Sequence, residues 1–266
     1  MKRPELFGCE FEFILNSKED EVKLHDELKE LKDGVCVKQS STKSTIESDE
    51  KYECIHFKAE PSLESTLGRE ITIPKCTSEE LYDYIDKISV LIPKYGYTNE
   101  TCGFHVHMSS DDEELNFCLF VLIADKNGLL KKWGSRNKYC LNLIDIFQVL
   151  NFKDVLYFKN SKGRVWNLLH RGKSWIEVRT MGGTDYETKQ DEIKEDIKQF
   201  IDVYTQSYDK VMNEDYLLLL KKHTDRMEAM DEKVVIDYLT AFPEIKGFLD
   251  IEKVAEFFNG DDLKLD

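Results

Sequence analysis

Three short segments of this chain repeat one design: a polar residue, an apolar residue and a polar residue, inside a stretch that alternates like a β-strand. They are Glu10-Phe11-Glu12, His105-Val106-His107 and Glu177-Val178-Arg179. In a strand, residues i and i+2 point to the same face, roughly 7 Å apart. Each polar pair therefore projects together, and Phe11, Val106 and Val178 face the opposite way, toward a core. Two carboxylates on one face repel each other unless water or a bound cation screens them. One such pair alone reads as the solvated side of an ordinary strand. Three in one chain form a coherent set, with acids and imidazoles suited to a metal and a guanidinium suited to phosphate. We read them as one polar, metal-loaded site.

Other residues could join that site. Glu70 lies mid-strand in Gly68-Arg69-Glu70-Ile71-Thr72, where Ile71 and Ile73 mark a central strand and leave the carboxylate in need of neutralisation. Glu60 precedes it in Glu60-Pro61-Ser62-Leu63-Glu64 and ranks below it. Arg136 and Tyr139 follow a helical stretch; alone they read equally well as a polar helix end with an aromatic anchor. Arg164 opens the segment that carries Asn167. Lysine outnumbers arginine 30 to 7, so a retained arginine is informative, and Arg136, Arg164, Arg171 and Arg179 all fall between residues 133 and 180.

Around these segments the pattern switches between period 2 and period 3.6. Strands are expected at 7–15, 35–38, 52–59, 69–73 and 101–109, and over 164–180 with a turn at Arg171-Gly172-Lys173. A loop or hairpin is expected over 39–51. A helix over 17–33 should bury Val22, Leu28 and Leu31. A second should start at the capping box Thr77-Ser78-Glu79-Glu80, bury Leu81, Ile85, Ile88 and Ile92, and stop at Pro93. A third spans 111–133 with Gly128 interrupting it. From Glu187 onward the chain reads as mostly helical, with stripes at Ile193, Ile197, Phe200, Tyr204 and Tyr208 and at Val234, Tyr238 and Phe242. Strands followed by segregated helices predict an α+β fold with a largely antiparallel sheet and helices on one side. Residues 1–186 would be the catalytic unit and 187–266 a helical extension packed on it. No Gly-rich phosphate loop is present, and Gly182-Gly183 alone is weak evidence for one.

Charge and cysteine usage narrow the function classes. The net charge of −15 argues against a broad nucleic-acid-binding surface. No run reaches the roughly 18 apolar residues of a membrane span, and Met1-Lys2-Arg3-Pro4-Glu5 lacks the apolar core of a secretory leader. Seven dispersed cysteines without a CxxC pair fit reduced thiols, so a cytoplasmic protein is expected.

The motifs together resemble a family. Gly8-Cys9-Glu10-Phe11-Glu12-Phe13 is similar to the Gly-x-Glu-x-Glu strand of the glutamine synthetase and glutamate–cysteine ligase superfamily. Cys102-Gly103-Phe104-His105-Val106-His107-Met108-Ser109 resembles its Gly-x-His-x-His-x-Ser strand, and Ile176-Glu177-Val178-Arg179 its Ile-Glu-x-Arg strand. The order is the family's, and the match is nearest to the compact amidoligase branch, whose last strand runs into a Gly-Thr, here Gly183-Thr184. The resemblance covers about residues 7–185. It implies a glutamine-synthetase-type catalytic sheet and ATP-dependent carboxylate–amine ligation through an acyl phosphate, with Mg2+ as the metal and Mn2+ as a substitute. Carried over residue by residue, it implies that Glu10, His105 and Glu177 hold the cation nearer the γ-phosphate. Glu12 and Glu70 would hold a cation nearer the carboxylate substrate. His107 would contact phosphate, Ser109 would lie near the nucleotide, and Arg179 would clamp the transferring phosphoryl group. Arg136 and Arg164 would be further phosphate or carboxylate contacts. Where the family has an aspartate in Asp-x-Ser-Leu, this chain has Glu60, followed by Pro61.

Partners would be an amine and a carboxylate from a small molecule, a peptide end or a modified nucleobase, and an oligomer is allowed. Three other readings stand beside this one. The guanidino kinases share the sheet and would transfer phosphate to nitrogen. A non-catalytic binding module would be expected to have lost some of the polar pairs. A zinc site from His105, His107, Cys102 and Cys140 has no CxxC to support it.

Overall fold

The structure, a computed structural model, describes residues 3–31, 37–40, 54–63, 65–110, 120, 123–124, 127–129, 132–133, 166–167 and 175–207. Its centre is β1 (Leu6–Leu15), where Phe7, Cys9, Phe11, Phe13 and Leu15 are buried on one face and Gly8, Glu10 and Glu12 take the other. β1 pairs antiparallel with β4 (Gly68–Thr72) on one side and with β6 (Gly103–Ser109) on the other. β3 (Ile55–Ala59) extends the sheet beyond β4, and β8 (Ile176–Gly182) extends it beyond β6. At the two edges lie β2 (Val37–Ser40) and β7 (Trp166–Asn167), while the short β5 (Gly96–Tyr97) pairs with the end of β1.

The sheet is antiparallel except at one edge, where β2 runs parallel to β3. Of the segment 39–51, expected as a loop or hairpin, residues 41–51 lie outside the described residues. Gln39 and Ser40 belong to β2 instead.

Register carries the alternation across strands. Phe11 lies opposite Ile71 and Phe104, and Phe57 opposite Ile71. Phe11 and Phe104 meet edge to face at 5.0 Å. This apolar face and the buried sides of three helices make one core. α1 (Lys18–Lys29) contributes Leu24 and Leu28; α2 (Ser78–Tyr95) contributes Leu81, Tyr84, Ile85, Ile88 and Ile92. α3 (Gln190–Gln206) contributes Ile193, Ile197, Phe200, Val203 and Tyr204, so the described start of the C-terminal region packs in the same core as the sheet.

Two helix expectations need correction. Val22 is 62% exposed, and Leu24 takes its place in the core. Leu24, Leu28 and Leu31 follow the i, i+4, i+7 spacing of one helix face, which Val22 does not share. Pro93 does not stop α2, which continues to Tyr95. One turn from the end, a proline removes one backbone bond and leaves little helix to distort. Both N-termini are capped: Ser17 accepts from the Asp20 N–H, and Thr77 with Glu80 forms the capping box that the sequence predicts.

Polar contacts fix the layers to each other. Arg69, alone among the polar residues of β4 on the core side, makes a two-pronged pair with Glu21 of α1 at 3.0 and 2.6 Å. Tyr186 donates to the Glu12 carbonyl at 3.0 Å, tying the turn after β8 to the middle of β1. Asp196 of α3 is buried, accepts from Trp133 Nε1 at 2.7 Å and pairs with Lys132.

The cysteines correct one expectation in part. Cys9, Cys76 and Cys102 are buried and not disulfide-bonded, but Cys54 is disulfide-bonded. Among the described residues no helix is long and apolar enough to cross a membrane. The expected stripe at Val234, Tyr238 and Phe242, the turn at 171–173 and most of the helix over 111–133 lie outside the described residues.

Candidate metal centre

The second face of the sheet carries the polar residues, and register stacks them in rows. Lys58, Glu70 and Glu12 form one row across β3, β4 and β1. His56, Thr72, Glu10 and His105 form the next, extending to β6. Gly8, His107 and Glu177 form the third, ending at β8. Facing residues on neighbouring strands sit within about 5.5 Å, so three sequence-distant polar pairs become one surface.

At its centre, ligand atoms of Glu10, His107 and Glu177 all lie within 4.8 Å of one another. His105 stands between them: its Nδ1 is 3.0 Å from Glu10 Oε2 and 3.5 Å from Glu177 Oε1. Its Nε2 is buried, has no hydrogen-bond partner, and lies 3.9 Å from Glu12 Oε1. His107 Nε2 is likewise without a hydrogen bond, 3.6 Å from Glu10 Oε1. The imidazole that completes the three-residue cluster is thus His107, with His105 beneath it holding Glu10. Trp175 packs on His107 at 5.3 Å between ring centroids.

Arg179 pairs with Glu177, and its Nη1 is 3.4 Å from His105 Nδ1. A bulge places it there. Val178 faces Val106 and Met181 faces Phe104, so Arg179 and Thr180 together oppose His105 alone. An extra residue of this kind re-aims side chains at the edge of a site. Glu12 accepts the Gly103 N–H at 2.6 Å. Glu70 pairs with Lys58 Nζ at 2.6 Å and accepts from Thr72 Oγ1 at 2.7 Å. Glu60 accepts from the Ser62 N–H at 3.2 Å within the turn Pro61–Leu63 that its neighbour Pro61 opens. Ser109 ends β6 opposite Leu6, two residues beyond His107. Arg136 and Arg164 lie outside the described residues, as does Tyr139.

Lys58 is the residue that our sequence reading missed. Its signal was present: His56-Phe57-Lys58 is a fourth polar–apolar–polar triplet in a strand.

The electrostatics favour a cation. Four carboxylates, Glu10, Glu12, Glu70 and Glu177, share this face with two cationic side chains, Lys58 and Arg179. Glu12, Glu70 and Glu177 are each under 7% exposed, where an uncompensated carboxylate is costly. Burial pushes Glu10 up, but its hydrogen bond to His105, with His107 and Lys58 nearby, holds it below the usual carboxylate range. Burial and the Glu10 charge push Glu70 up to about 8, against the pull of Lys58 and Thr72. Burial opposes the charge of Arg179, yet Glu177 and Glu12 raise its pKa further. Carboxylate oxygens with one or two imidazoles suit Mg2+ or Mn2+, and the unpartnered buried nitrogen of His105 marks room for a further contact.

Glu70 gives a pH dependence with a definite sign. Its folded pKa of about 8 lies above the ordinary 4.5. The folded chain therefore keeps a proton that the unfolded chain loses, and this group's contribution is present at low pH and lost as pH rises through the folded value. In chelator, Tm is expected to fall between about pH 5 and pH 8, and Glu70→Gln should flatten that slope. An unchanged slope in the variant would remove Glu70 as its cause.

No family model and no curated protein matches this chain. Among solved structures it is similar to glutamine synthetase of Plasmodium falciparum, at 12% identity and a TM-score of 0.36, over 96% of this chain and 74% of that one. So loose a likeness carries no conclusion about activity, and the functional reading rests on the residues.

Proposed function

We propose that this protein is a divalent-metal-dependent, ATP-using carboxylate–amine ligase, an amidoligase on a glutamine-synthetase-type sheet. The observation that carries the reading is the convergence of Glu10, His107 and Glu177 within 4.8 Å, with Arg179 anchored on Glu177 at the rim. The motif resemblance of residues 7–185 supports it. Residues 1–186 would form the catalytic unit, with 187–266 as its helical extension.

Such a reaction brings two anions together, a carboxylate and a triphosphate. Glu10, His107 and Glu177 would hold a Mg2+ or Mn2+ ion, which would neutralise phosphate charge. Arg179 has planar donors suited to a phosphoryl group, and its pairing with Glu177 and nearness to His105 keep it aimed at that point. Charge stabilisation of this kind is the main protein contribution in phosphoryl transfer. A substrate carboxylate would attack the γ-phosphorus and release ADP. An amine would then attack the acyl carbon, and phosphate would leave with loss of one proton from nitrogen. Glu12 and Glu70 line the side where the carboxylate and amine would meet.

The test is phosphate release from ATP and Mg2+ by the purified chain, against paired panels of carboxylates and amines. Release that needs both partners is the expected result. Release with a guanidino compound and no carboxylate would replace ligation with phosphotransfer. Absence of release and of any ATP-induced rise in Tm would leave a binding module, because a ligand at 100 times its Kd adds about 2.7 kcal/mol.

A further inference from the structure

We propose that Lys58 is a built-in counter-cation on the Glu70 side of the acidic face, so that the face takes one divalent ion while Lys58 stays in place. The inference deepens the metal-dependent reading above and rests on it. The family resemblance implies a second cation at Glu12 and Glu70. The geometry gives those two carboxylates other partners.

Lys58 lies directly across from Glu70 in register, with its Nζ 2.6 Å from Glu70 Oε1. The same oxygen takes the Thr72 hydroxyl at 2.7 Å. On the adjoining strand, Glu12 Oε2 is occupied by the Gly103 N–H at 2.6 Å. Neither residue joins the group of three ligand atoms found among the described residues, which is made by Glu10, His107 and Glu177 alone. An ammonium at hydrogen-bond distance occupies one oxygen of Glu70, and its charge repels a second ion. Its influence extends past its partner: the Lys58 charge also acts on Glu10 and Glu60. Lys58 therefore brings positive charge to this half of the face without metal.

Lysine suits a replaceable cation. Its charge sits on a flexible four-carbon stem, unlike the rigid fork of arginine. The Lys58 side chain is 26% exposed, whereas Glu70 beneath it is 6% exposed. The ammonium can swing toward solvent while the carboxylate cannot follow. The face then has a fixed metal position at Glu10, His107 and Glu177, and a position at Glu70 that Lys58 guards.

Counting bound Mn2+ by electron paramagnetic resonance on the full chain tests this without turnover. Wild type should bind one tight ion. Lys58→Met should bind a second, with affinity for that ion raised at least about tenfold, and Lys58→Arg should stay at one. If Lys58→Met fails to fold, Lys58→Gln removes the charge while keeping a polar chain, and the same count applies. Two tight ions in wild type, or one in a folded neutral variant, would overturn the role of Lys58 and leave the metal centre standing. No ion in wild type would overturn the metal centre itself, and this inference with it.

Discussion

Glu10→Gln is expected to yield a folded protein that no longer holds a divalent ion and has lost almost all phosphate release. Glutamine keeps the length and shape of glutamate, and its carbonyl can still accept from His105, now 3.0 Å from Glu10 Oε2. What disappears is the one negative charge that touches both imidazoles, through 3.0 and 3.6 Å contacts. Mutating even the outer partners of a metal ligand typically costs 10- to 100-fold in affinity, so loss of a direct ligand should exceed about 100-fold. Turnover should fall about 1000-fold, the scale of removing a single preorganised electrostatic group. Mn2+ calorimetry, phosphate release and a thermal melt check the three parts together. In wild type, Mn2+ at 100 times its Kd should raise stability by about 2.7 kcal/mol; in the variant that rise should vanish. A folded Glu10→Gln chain with wild-type turnover would remove Glu10 from the site.

Much of this site was legible because the β-strand period is short and rigid. The triplets at Glu10, His105 and Glu177 each told which side chains share a face, and antiparallel pairing could only bring such faces together. The resemblance implied His105 with Glu10 and Glu177, and His105 Nδ1 lies 3.0 and 3.5 Å from them. That His107 also gathers with these two carboxylates was not legible. It depends on register, with Glu10 opposite His105 and Glu177 opposite His107, and register has no local code. Lys58 shows a different failure. Its triplet was readable, but a lysine in a strand looks like a solvated edge, and only the pairing of β3 with β4 sets it on Glu70. The helices show where local rules suffice and where they do not. Capping at Thr77 depends on four neighbouring residues and was readable. The exposure of Val22 follows from which face Leu24, Leu28 and Leu31 share, and the passage of α2 through Pro93 from its place in the last turn, and neither was read correctly.

Gly182→Ala should be among the most damaging single changes in the chain, at about 4 kcal/mol, because it combines backbone strain with a clash. Gly182 has φ of +125°, a region that other residues rarely adopt. A β-carbon there would stand 2.6 Å from the Cys102 carbonyl, 2.8 Å from Gly103 Cα and 2.9 Å from the Phe104 nitrogen. All three are backbone atoms of β6 or its lead-in, so no side chain can move aside. The next residue adds a constraint, since the Gly183 N–H donates to the same Cys102 carbonyl at 2.8 Å. The sequence offered Gly182-Gly183 only as weak evidence for a phosphate loop; the geometry gives it a closing role, bringing β8 against β6 past the bulge at Arg179 and Thr180. The damage should reach the site as well. Gly103 lies opposite Gly182, and its N–H holds Glu12 at 2.6 Å. Pushing β6 away from β8 would release Glu12 and separate His107 from Glu177. At roughly 2 to 4 °C per kcal/mol for a chain of this size, Tm should fall by about 10 °C, and Mn2+ affinity should drop even at temperatures where the variant is folded. A neighbouring control, Thr184→Ala at an exposed position just past the bend, should change neither. Equal stability in Gly182→Ala and Thr184→Ala would mean that β6 and β8 tolerate separation at this end, and that the acidic face is held together by its ion pairs alone.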